Sequence, residues 1–210
     1  MAEPYFQGMQ PPLLRGMGSL YKKLPTNMRL LAENLFGVDS PITEKDFKPE
    51  ELELIRDQID HYKRINKAKE SMHRNMLSRA GTPREKESRE RWLQTYEDTA
   101  GQTAITNPYG GFDVPSEWGV VDQPWGASLR RSFTDPRYNV ATSLGKYVAE
   151  DVDDGMRVRD VYDFNKQERD LPRGLAALRG MLFSPELLGE YLANAAGTSP
   201  RNVDINLPDI

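Results

Sequence analysis

Residues Ser143–Asn165 read S-L-G-K-Y-V-A-E-D-V-D-D-G-M-R-V-R-D-V-Y-D-F-N, and this stretch decides the fold. It predicts a strand, a tight acidic turn at Asp153-Asp154-Gly155, and a return strand ending in a corner at Tyr162, Asp163, Phe164 and Asn165. Gly155 provides the positive φ that such a turn requires. Along the second strand Met156, Val158 and Asp160 alternate with Arg157, Arg159 and Val161. Tyr162 and Phe164 are expected to be buried at the corner, with Asp163 or Asn165 bonded to backbone.

Upstream, the pattern is helical. Pro25 to Phe36 predicts a short helix with Gly37 as its C-cap. Pro49 to Arg79 predicts a long one, with Pro49 at the first helical position and Glu50, Glu51 and Glu53 in the opening turn, where the helix dipole favours them. Leu52, Ile55, Ile59 and Tyr62 form a narrow apolar seam, which Ile65, Met72 and Met76 continue less regularly. A narrow seam implies one packing partner, either the next helix or another copy of the chain. Thr82-Pro83-Arg84-Glu85 is a capping box that opens a second, highly charged helix to about Glu97. The two are placed to form a helical hairpin.

Two segments read as irregular. Residues 1–23 are broken by glycine and proline yet carry Tyr5, Phe6, Leu13 and Leu14, so they predict an apolar arm that docks on another subunit or returns to its own core. Residues 99–138 are punctuated by Asn107-Pro108, Gly110-Gly111, Val114-Pro115, Gln123-Pro124 and Asp135-Pro136. With Tyr109, Phe112, Trp118 and Trp125 as anchors, they predict an extended strap laid across a surface. The division expected is therefore an arm (1–23), a helical region (24–98), the strap (99–138) and a small α+β unit (139–210). Within the last, Leu171–Gly180 and Ser184–Ala196 predict short helices and Val203–Pro208 an edge strand. The fold class is α+β, mainly α-helical.

Composition narrows the function. Hydrophobic residues are 38% and charged residues 29% of the 210, against roughly 45–50% and about 25% in average globular chains. The core is thin for this length, and neighbours are expected to order part of the chain. With 28 basic and 32 acidic residues the net charge is −4, which implies no global attraction to nucleic acid or anionic lipid. Cysteine is absent, excluding disulfides and thiolate chemistry. No apolar run reaches the roughly 18–20 residues of a membrane span, and Arg15 and two glycines interrupt the N-terminal apolar run.

No catalytic, cofactor or metal constellation emerges. His61 and His73 are twelve residues apart on one helix, about 18 Å along its axis, too far to share a metal. An EF-hand loop starting at Asp151 would need glutamate where Tyr162 stands. Gly16-Met17-Gly18 and Gly110-Gly111 lack the spacing and lysine of a phosphate loop. Lys63, Arg64, Lys67, Lys69, His73, Arg74 and Arg79 form the one basic run, read as a solvated helix face or a contact to nucleic acid.

Leu144-Gly145-Lys146-Tyr147, Asp154-Gly155, Asp160-Val161-Tyr162-Asp163-Phe164-Asn165 and, more loosely, Val203-x-Ile205-x-Leu207-Pro208 together resemble a unit of bacteriophage virion structural proteins. The resemblance covers about a quarter of the chain. It implies a non-enzymatic component of the portal, tail or ejection apparatus, located in the virion after assembly in the host cytoplasm. Its partners would be other virion proteins and copies of itself. A nucleic-acid-handling module near packaged DNA is the alternative.

Overall fold

The computed structural model describes residues 21–35, 37–112, 125–162 and 200–209, with the backbone alone at 35, 125–129 and 162. Four strands, β1 (Gln102–Ile105), β2 (Tyr147–Val152), β3 (Gly155–Tyr162) and β4 (Arg201–Pro208), pair antiparallel in that spatial order. Around them lie α1 (Thr26–Leu35), α2 (Pro49–Leu77), α3 (Pro83–Asp98), α4 (Trp125–Thr134) and α5 (Pro136–Leu144). The fold is α+β and mainly helical.

Strand periodicity divides the sheet into two faces. Ile105, Tyr147, Val158, Ile205 and Leu207 point inward and are buried. Leu30 of α1, Ile55 and Ile59 of α2, and Val140 and Leu144 of α5 cover them to make a single core. The outward face carries charged and polar pairs beside the exposed Val152 and Val161. Arg157 donates to Asp204 at 2.6 Å, Arg159 pairs with Glu150 at 3.3 Å, and Gln102 reaches Glu150 at 3.3 Å. The first two pairs are diagonal and the third directly opposite; all are part-exposed cross-strand contacts that stabilise only modestly.

The β-hairpin forms as its sequence implies, with Asp153-Asp154 as the turn and Val152 paired to Gly155. Gly155 has φ +134°. A second reason for glycine comes from β4: a Cβ here would collide with the backbone at Leu207 and Pro208. Thus β4 completes the sheet against a bare backbone surface, and its Arg201 is locked by ion pairing to Glu33 of α1 at 2.9 Å and by donation to the Ser40 carbonyl at 2.9 Å. Tyr21 donates its hydroxyl to the same Glu33 carboxylate. Burial raises the Tyr21 pKa, and the Glu33 hydrogen bond and charge raise it further, so the phenol stays protonated.

Two expected boundaries change. Tyr21 was grouped with the apolar arm, but it is buried and bonded to Glu33. The 99–138 strap contains regular structure: β1, all of α4 and the start of α5. Asp135-Pro136, read as a break, is a helix start. Its aspartate accepts from the Arg137 amide at 3.0 Å, and proline takes the first helical position, where its missing N–H costs nothing. The helical region and the C-terminal α+β unit share one core rather than packing separately. The expected helices Leu171–Gly180 and Ser184–Ala196 lie outside the described residues.

Ile205 is fully buried at the centre of this core. Ile205→Ala should cost about 2–5 kcal/mol in urea unfolding, whereas Met72→Ala on the exposed helix should change stability by less than about 0.5 kcal/mol. A loss under about 1 kcal/mol at Ile205 would mean that β4 is not part of the cooperative unit.

Candidate interaction surface on the helical spur

The 29 residues of α2 belong to two environments. Its buried residues, Glu51, Ile55, Gln58 and Ile59, all lie in the first eleven positions. Glu51 closes the N-terminus by accepting from the Lys48 amide at 2.9 Å and from the Thr26 hydroxyl at 2.7 Å. Gln58 is the main anchor. Its amide nitrogen donates to the carbonyls of Pro108 at 2.9 Å and Gly110 at 2.8 Å, and its oxygen accepts from the Tyr147 hydroxyl at 2.6 Å. One buried side chain thereby ties α2 to the loop after β1 and to β2.

Gly110 and Gly111 serve this contact. A Cβ on Gly110 would strike the Tyr62 hydroxyl. Gly111 has φ +85°, and a Cβ there would come within 3.0 Å of the His61 ring. The pair that failed as a phosphate loop is what lets the loop lie against the helix. Phe112 packs half-buried on the chain's own core, and Tyr109 is half-buried in the same loop. These two expected partner anchors are therefore largely engaged by their own chain. Tyr5, Phe6, Leu13, Leu14, Trp118, Asp163, Phe164 and Asn165 lie outside the described residues, as do the side chains of Trp125 and Tyr162.

Lys63 makes the last recorded polar contact of α2 with the sheet, pairing with Asp151 at 2.5 Å. Fourteen further residues carry α2 to Leu77, an extension of about 21 Å. Antiparallel α3 returns along it, with Leu93 as its one buried residue. His73 stacks on Trp92 at 4.0 Å and 5°, Trp92 stacks on Tyr96 at 5.5 Å, and Arg74 bonds Glu70 at 2.8 Å and Glu97 at 3.0 Å. The result is a spur held mostly by polar and aromatic contacts.

The seam does not continue through Met72 and Met76. A 3.6-residue period carries the inner line from Ile59 and Tyr62 to Asn66, Glu70, His73 and Leu77, all half-buried. Met72 and Met76 turn away and are 49% and 40% exposed. They form an outward stripe with exposed Ala68 at spacings of four, edged by half-buried Ile65. Hydrophobicity alone concealed this, because polar residues occupy the true contact line. The sequence signal that could have found it is strict periodicity.

Charge is segregated as well. Residues 64–98 hold nine Lys and Arg against six Asp and Glu, a net of +3, while the whole chain is −4 and the remainder therefore −7. Of the basic run, Lys63 and Arg74 are committed to ion pairs and His73 to Trp92. Arg64, Lys67, Lys69 and Arg79 have no carboxylate partner among the described residues. Also among the described residues, no group of His, Cys, Asp or Glu could hold a metal, and no helix is long and apolar enough to cross a membrane.

No family model, curated protein or solved structure matches the chain.

Asp160, the first residue of the D-x-Y-D-F-N unit, is half-buried on the inward side of β3. Burial raises its pKa to about 6 from the usual 3.8, only partly offset by the Val161 amide. Between these values the folded state binds more protons than the unfolded one, so stability should fall as pH rises through that window and level off above it. Asp160→Asn should shrink the decline, leaving the part due to Asp46, whose carboxyl pKa burial also raises, and should exceed the parent in urea midpoint at pH 7; a parent midpoint that climbs between pH 4 and 6 would contradict this. Gln58→Leu should leave Tyr147 and two carbonyls unpaired and cost about 1–3 kcal/mol or more, read as a lower urea midpoint.

Proposed function

We propose that the protein is a non-enzymatic structural or assembly component of a bacteriophage particle, at its portal, tail or ejection apparatus, working through protein contacts. The observation that carries this reading is the spur: a helical hairpin about 21 Å beyond the last sheet contact, with exposed methionines on its outward stripe. Methionine is flexible and polarisable, and it suits surfaces that adapt to a partner. A projection of this kind stabilises the body little, and contact with a neighbour gives it a role. The virion-like unit at Asp160–Asn165 supports the same reading, as do the apolar residues of the N-terminal segment. The partners would be other virion proteins and further copies of this chain.

The spur's net charge of +3 favours one other reading, a module that holds nucleic acid near packaged DNA. If Arg64, Lys67, Lys69 and Arg79 neutralise phosphates, the logarithm of affinity should fall against that of salt with a slope of about −0.9 per contact. Absence of DNA and RNA binding at about 50 mM salt would remove it.

The assembly reading is tested by deleting residues 1–20, which keeps Tyr21 and its bond to Glu33. Thermal melting of the truncated protein should nearly match that of the full chain, while particles produced with it should lack the protein. Incorporation at full stoichiometry would overturn the role given to this segment. Failure of the full-length protein to co-purify with particles would overturn the virion assignment itself.

A further inference from the structure

At the β2–β3 turn, far from the spur's tip, lies an open groove of about 600 Å³. Val152 and Pro208 contribute exposed apolar wall over the buried Leu207, and Glu44, Asp153 and Asp154 contribute carboxylates. Val152 is 44% exposed, and none of the three acids pairs with a cation among the described residues. The spur carries the opposite pattern. Met72 and Met76 form its exposed apolar stripe, and Lys69 and Arg79, also without carboxylate partners, flank it.

We propose that the methionine stripe of one copy seats in the acid-rimmed groove of a second copy, giving a head-to-tail contact. The assignment rests on the assembly reading above and names the partner as this chain itself. Two complementarities carry it: methionine against Val152 and Pro208, and Lys69 and Arg79 against Glu44, Asp153 and Asp154. Charge pairing of this kind fixes orientation and speeds encounter more than it adds affinity.

The groove cannot be filled by its own spur. Helix α2 is continuous through Lys63, which is itself bound to Asp151 beside the turn. Met72 stands about 14 Å farther along the same rigid rod and is 49% exposed. Only another molecule can bring a spur to this groove. Spur and groove are different surfaces, so the contact is heterologous, and a dimer joined by one such contact keeps one free spur and one free groove. Repetition gives a ring where the rotation closes and a filament where it does not. One such contact is small, below about 1,200 Å² in all, and therefore weak alone and strengthened by repetition.

Sedimentation velocity on the full chain over a concentration series tests this. The parent should form dimers and larger species that dissociate with added salt. A spur variant (Met72→Ser with Met76→Ser) and a groove variant (Asp153→Lys with Asp154→Lys) should each melt like the parent, and each should weaken association about tenfold or more. Mixed, they should form one-to-one dimers and nothing larger, because only one intact spur–groove pair exists. Should the lysine pair disturb the turn, Val152→Glu probes the same wall. A parent that stays monomeric to its solubility limit overturns the proposal, as does association that both variants retain, or a spur that binds DNA while the copies stay apart. A parent that is monomeric yet enters particles would remove this contact and leave the assembly reading standing.

Discussion

The side-chain amide of Gln58 joins three parts of the chain that are far apart in sequence. Its two donors hold the loop after β1, its acceptor holds the Tyr147 hydroxyl on β2, and its own backbone belongs to α2. A buried primary amide is costly unless its hydrogen-bonding capacity is met. Here it is met by groups that lie side by side only in the folded chain. This makes Gln58 a register mark: it fixes how far α2 slides across the sheet, which residues enter the core, and where the helix departs into solvent.

A second polar lock holds the other side. Arg201 is almost fully buried, and its guanidinium meets Glu33 and the Ser40 carbonyl. A buried pair of this kind is weak evidence for added stability, since desolvation offsets much of the attraction. Its effect is positional. With Ile42 bridged to Val203, it seats β4 beside β3 although the two are far apart along the chain.

The β-hairpin, the three N-terminal helices and the final strand were legible because each carries local signals: a glycine after an acidic turn, prolines at helix starts, and period-two alternation. The α4–α5 pair was not, because Asp135-Pro136 and its neighbours read as punctuation when proline density is weighed without position. The spur's outward stripe was hidden for a different reason. Its inner line passes through Asn66, Glu70 and His73, so the hydrophobic residues marked the wrong face. The groove combines Glu44, the β-hairpin turn and β4, which no spacing rule brings together. Tertiary pairing made it, as it made the close approach that excludes a side chain at Gly155.

Between Glu50 and Arg79 there is neither glycine nor proline, and without such a break a helix curves gently instead of hinging. The spur is therefore a lever whose fulcrum is the crowded contact at Gln58, Tyr62 and the paired glycines. A sideways load on Met76 cannot be absorbed by bending partway along; it arrives as torque on the buried amide and the sheet beneath. Any partner that pulls on this tip pulls on the core of the protein.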